Sequence, residues 1–152
     1  MTTEHPIVER ERLLAGGAVS WARLDTLLRE NDARSSLHAQ GATDWNSRDV
    51  YAHLARWMGF TIEQVRRKSA GIDWLPSIPG SDDEINERWA VADRTLSTDQ
   101  ARNWCIESAG TLRRLVGDLS LDQWTRFGKK CMDDISGEHY AAHIAFIEQG
   151  GS

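Results

Sequence analysis

The chain has 152 residues, 40% of them apolar and 27% charged, with a formal net charge of -5. That length suits one domain with little room for a second, and the apolar share suits a packed core rather than a disordered chain. The acidic balance argues against nucleic-acid binding, which needs a basic face, and no apolar run approaches the roughly 18 residues needed to cross a bilayer.

The N-terminal stretch MTTEHPIVERER carries acids early and no apolar run, so no secretory signal is expected. A first helix is predicted over residues 6–29, where Leu14, Trp21, Leu24 and Leu28 recur at spacings that share one stripe. Gly16 and Gly17 interrupt this pattern and mark a close helix contact or a kink. Residues 31–43 read as a polar connection; His38 within it and His5 before the first helix are expected at the surface. Asn46 is placed to cap a second helix, with Asp49 three residues on in the capping-box position. Val50, Leu54 and Trp57, joined by Thr61, form its inner stripe. His53 falls on the same face and is expected to point inward. The basic run Arg66-Arg67-Lys68 suits the negative end of this helix, and Arg113-Arg114 reads likewise as a solvated helix end.

Residues 69–81, SAGIDWLPSIPGS, are predicted to be the one long loop, although Ile72, Trp74, Leu75 and Ile78 make it unusually apolar. The plainer expectation is a satellite cluster over the end of the helices; the sharper one is a lid over a pocket mouth. Asp82 and Asp83 open a third helical stretch reaching about residue 96, with Ile85, Trp89 and Ala92 inward. Ser97-Thr98-Asp99-Gln100 starts another helix, whose inner stripe is Cys105, Ala109, Leu112, Val116 and Leu119. Cys105 is expected in the core. Cys105 and Cys131 form no metal or redox spacing and read as reduced thiols of a cytoplasmic protein. Residues 120–135 hold a turn-like LDQWTRF and then an irregular, charged connection. A last helix over residues 136–148, roughly 20 Å long, precedes the C-terminal EQGGS. No sustained alternation of period two occurs, so the expected class is all-α: a four-helix bundle with a long loop between helices 2 and 3.

The segment Gly137-Glu138-His139-Tyr140-Ala141-Ala142-His143-Ile144 concentrates the chemistry. Two histidines four apart share one helix face, and Tyr140, Ile144 and Ile147 make that face an inward one. Neutral imidazoles on adjacent turns can hold one divalent metal together, and His53 is the other histidine on an inward face. In an up-and-down bundle all three would lie at one end. Such a set suits zinc, nickel or iron, and leaves positions open for water or substrate. The residue after His139 is tyrosine, so the HExxH peptidase arrangement with its glutamate base is absent. The plain alternative is that the three histidines are satisfied core residues.

With these residues in place, the chain resembles the DinB superfamily of four-helix bundles, also described as DinB/YfiT-like. Trp45-Asn46-Ser47-Arg48-Asp49-Val50-Tyr51-Ala52-His53-Leu54 is similar to the segment that opens the family's second helix and ends in its first metal-ligand histidine. Glu138-His139-Tyr140-Ala141-Ala142-His143-Ile144 is similar to its final-helix segment, which carries the other two. The His-Tyr start of that segment and Ile85-Asn86-Glu87-Arg88-Trp89 resemble the ClbS/DfsB branch. The resemblance implies metal-dependent enzymes using a low-molecular-weight thiol, or a hydrolase that confers self-resistance against a reactive toxin.

Three expectations follow. The first is a metal-assisted enzyme acting on a small electrophile by hydrolysis or thiol transfer, in detoxification or self-resistance. Its metal ligands would be His53, His139 and His143, with Tyr140 and Glu138 orienting and Trp57, Trp74, Asn86 and Trp89 lining the substrate pocket. The second is a bundle that sequesters a small hydrophobic molecule without turnover, suggested by the seven tryptophans. The third is a structural bundle that pairs as a homodimer.

Overall fold

The computed structural model describes residues 3–32 and 45–148. Most of the expected polar connection, with His38, and the last residues of the EQGGS tail lie outside the described residues. Those described form an all-α protein, with six α-helices, one 3-10 segment and no strand among them. No helix is long and apolar enough to cross a membrane.

The elements follow from caps and stripes. Helix α1 (Pro6–Glu30) starts with proline in its first turn, where the missing N–H costs nothing, and His5 Nδ1 accepts from the Ile7 amide. Helix α2 (Ser47–Ser69) opens with the expected reciprocal box: Asn46 accepts from the Asp49 amide at 3.1 Å, and Asp49 accepts from the Asn46 amide at 3.0 Å. Helix α3 (Asp82–Ala92) is shorter than its sequence suggests. It stops at Asp93, whose carboxylate accepts both donors of Arg56 from α2 at 2.7 and 3.1 Å, and the chain turns there towards the Ser97 cap. Ala92, expected inward, is the last residue of that helix and exposed; Asn86 and Ala90 are buried instead.

Helix α4 (Thr98–Gly117) carries the predicted stripe, with Cys105, Ala109, Leu112 and Val116 fully buried. The stretch 120–135 is more regular than expected. Ser120 and Gln123 form a capping box that starts a short helix α5 (Leu121–Arg126), and Gly128–Ile135 winds as a 3-10 segment that buries Cys131, Met132 and Ile135. Helix α6 (Gly137–Glu148) then begins against α1.

Helix α2 packs on α4 and α1 on α6, while the 3-10 segment touches α1, α2, α4, α5 and α6 and ties the two pairs together. Trp45, Tyr51, Trp124 and Tyr140 are the largest fully buried side chains, set among Leu24, Leu28, Leu54, Met58 and Leu112. Each such side chain contributes about 2 kcal/mol of transfer free energy. Polar anchors fix the angles. Asp25 of α1 accepts both donors of Arg102 from α4 at 2.8 and 2.9 Å, and the Tyr51 hydroxyl of α2 donates to it at 2.7 Å. The Arg102 guanidinium holds the Asp25 carboxyl below its usual range. Arg56 also lies 5.8 and 5.4 Å from the Trp89 and Trp104 ring centres.

The two glycines of α1 play different parts. A Cβ on Gly17 would collide with the backbone carbonyl of Ile135, whereas one on Gly16 would meet open space. Gly17→Ala is therefore expected to cost about 1–3 kcal/mol through overpacking. Gly16→Ala should gain up to about 1 kcal/mol of helix propensity. Urea denaturation of the two variants beside wild type checks both signs.

Candidate functional site

The three predicted histidines come together. His53 is buried on α2, and its ring centre lies 5.7 Å from that of His143 on α6; His139, one turn earlier, lies 5.2 Å from His143. Imidazoles sharing one ion at metal–nitrogen distances near 2.0–2.1 Å have ring centres roughly 5 Å apart, so each of these two pairs is near that spacing. As the rings stand, no set of three or more His, Cys, Asp or Glu side chains among the described residues forms a ready ligand cage.

Local structure explains why the rings meet. His53 follows the capped first turn of α2 on the face that also carries Val50 and Trp57, and Trp45 packs over it at 5.2 Å between ring centres. Ser136 starts α6: its hydroxyl accepts from the His139 amide at 3.2 Å and its carbonyl accepts from the Tyr140 amide. His139 and His143 then fall on adjacent turns of one face.

The sequence pattern did not single out Asp134. It ends the charged run of the 3-10 segment, and the Thr61 hydroxyl of α2 donates a hydrogen bond to its carboxylate. Burial pushes the Asp134 carboxyl above the usual carboxylate range, against the pull of Thr61 and of His139. Burial likewise pushes His139 below the usual imidazole value, while Asp134 and Asp133 push it back up. The cause that dominates at both groups is desolvation, which favours neutral imidazole, the form that binds metals.

The other candidates divide. Tyr140 is fully buried, and burial raises its hydroxyl well above the ordinary tyrosine range. That hydroxyl is directed at Met58 Sδ, 4.0 Å away, and at Arg113, so it sits in the core between α6 and the α2–α4 pair. Glu138 is exposed in the first turn of α6. Trp57, Asn86 and Trp89 form one cluster: the Trp57 indole N–H donates to Asn86 Oδ1 at 2.8 Å, and the two indoles meet edge-on at 4.9 Å. Trp74 stands apart, against Phe127 at 6.3 Å with the Lys68 ammonium 5.1 Å from its ring.

The long loop is neither a buried satellite nor detached. Gln64 bonds both the N–H and the carbonyl of Leu75, and Arg67 Nε donates to the Asp73 carbonyl at 2.8 Å, so α2 holds the loop along its length. Gly71 and Gly80 end it with φ of 75° and 106°, which glycine adopts without strain. A cavity of about 270 Å³ lies between this loop, Trp57, Phe60 and Gln64 of α2, and Asp82 and Ile85 of α3.

No protein-family model, curated protein or solved structure matches the chain.

Thr61→Val keeps the side-chain shape and removes the donor to Asp134. It is expected to cost about 1.5–3 kcal/mol at pH 7, as for a hydrogen bond to a charged group. Asp134 is raised above its ordinary 3.8 in the folded protein. The loss should therefore shrink as acidification protonates the carboxyl, which urea denaturation at a series of pH values reads.

Proposed function

We propose that α1, α2, α4 and α6 are the long helices of a DinB-like four-helix bundle, and that the protein is a metal-assisted enzyme acting on a small reactive electrophile. The reaction is hydrolysis or transfer of a low-molecular-weight thiol, in the service of detoxification or self-resistance. The observation that carries this reading is the gathering of His53, His139 and His143, from two helices far apart in sequence, at ring-centre separations of 5.2 and 5.7 Å.

The three imidazoles would hold a zinc, nickel or ferrous ion, which when bound lowers the pKa of a water or thiol so that a nucleophile is available at neutral pH. The chain's own residues prepare the place. Burial favours the neutral form of His139 against the pull of Asp134 and Asp133, and Thr61 holds the Asp134 carboxyl in place; Glu138 lies outside in solvent. Trp45 covers His53 and keeps water from that side of the cluster. Tyr140 keeps α6 in register through its contacts in the core.

A second reading, a protein that sequesters a small molecule without turnover, is favoured by the cavity beside Trp57. One assay separates the two. Purified protein is incubated with glutathione and a small epoxide, with and without chelator, and the products are identified by mass spectrometry. The enzyme reading expects turnover that falls roughly a hundredfold or more on chelation and in His53→Ala, as the loss of several kcal/mol of charge stabilisation implies. Turnover that chelation leaves unchanged contradicts it, and quantitative return of a tightly bound but unaltered molecule supports sequestration.

A further inference from the structure

The cavity of about 270 Å³ between α2, the loop and α3 has a lining with a distinct chemistry. Two of its walls are aromatic: Trp57 and Phe60, whose rings meet edge to face at 6.3 Å and 88°. Asp82 is the one ionisable group among the nine lining residues, and none of them is basic. Ser77 adds a hydroxyl that can accept a hydrogen bond. The half-open cavity is held in shape, since Gln64 clamps Leu75 of the loop and Asn86 accepts from the Trp57 indole N–H.

We propose that this cavity binds a small aromatic molecule bearing an amine, with its ring against Trp57 and Phe60 and its ammonium at the Asp82 carboxylate. Each part of that molecule answers a feature of the lining. The aromatic walls take a flat apolar ring, and they also attract a cation over their faces. The carboxylate supplies the opposite charge at a partly wet rim, where an ion pair keeps some of its strength. A carboxylate or phosphate ligand would meet Asp82 with no cation to offset it. The size limits the ligand to about the scale of a fused two-ring system, at the small end of known ligand pockets.

The cavity also lies along the same face of α2 as His53, since Trp57 follows it by four residues, about one helical turn or 6 Å. A longer molecule anchored there could place its far end towards the imidazoles. That link alone rests on the metal reading above; the binding site does not.

The test is isothermal titration calorimetry with three probes that share one ring system: 1-naphthylmethylamine, 1-naphthalenemethanol and the carboxylate anion of 1-naphthaleneacetic acid (the acetate). It is run with chelator present and repeated in His143→Ala, so that failure of the metal reading leaves it unaffected. The amine is expected to bind roughly tenfold tighter than the alcohol, with the acetate weakest, as an ion pair and a cation–π contact together imply. Asp82→Asn should erase the preference for the amine. Asp83→Asn, which removes a charge from the same helix end but lies outside the cavity lining, should keep it. Ile78→Trp, which fills the cavity, should abolish binding of all three while thermal melting shows a folded protein. The proposal is overturned if the amine binds no tighter than the alcohol, if both aspartate variants act alike, if binding survives Ile78→Trp, or if no probe binds at millimolar concentration.

Discussion

The backbone of α1 touches the carbonyl of Ile135 because residue 17 has no side chain. That contact fixes where the 3-10 segment ends and therefore where α6 begins. One residue later Ser136 caps the new helix, and Gly137 packs against Ser20 and the backbone of Gly16. The first two turns of α6 are thus delivered to a set position beside α1, with His139 and His143 turned towards α2. The same 3-10 segment carries Asp134 to Thr61 and seals the core with Cys131, Met132 and Ile135. Burial pushes the Cys131 thiol up to about 11, so it serves as a small apolar residue there and not as a nucleophile.

Charge is arranged in two ways within one small protein. Where helices must be held at set angles, buried or partly buried acids are matched by arginine forks, as with Asp93 and Arg56 or Asp25 and Arg102. Such pairs add little net stability over an apolar core, but removing one partner leaves the other charge uncompensated and is costly. At the histidine cluster the partners are of another kind. Asp134 meets a hydroxyl and an imidazole rather than a guanidinium, and burial opposes charge on both. Titratable groups with shifted properties, gathered in one place, are a mark of functional sites as well as of structural ones.

Much of this could be read from residue patterns. The capping box at Asn46, the stripes of α1, α2 and α4, and the shared face of His139 and His143 are local signals, and local geometry carries them into the fold. The contact of His53 with His143 needed one further assumption, that the helix starts meet at one end, and it holds. What escaped notice has physical causes. Asp134 sits in a run without helical periodicity, and its partner Thr61 is remote in sequence, so no spacing links them. The box of Ser120 and Gln123 was present in the letters but hidden by the brevity of α5. The early end of α3 depends on the pairing of Asp93 with Arg56, a tertiary contact that propensity does not contain. Trp74, expected beside Trp57, stands against Phe127 instead because loop direction is set by Gln64 and Arg67, whose bonds go to the loop backbone and are blind to its side chains.

The central claim is that His53, His139 and His143 hold one divalent ion, and its most direct test is elemental analysis of protein purified without an affinity tag. Wild type, His53→Ala and His143→Ala are compared after titration with zinc, nickel and ferrous iron and removal of excess. The account predicts close to one ion per chain in wild type and a loss of that ion in each variant. An equal metal content in all three, or none retained by wild type after titration, would contradict it.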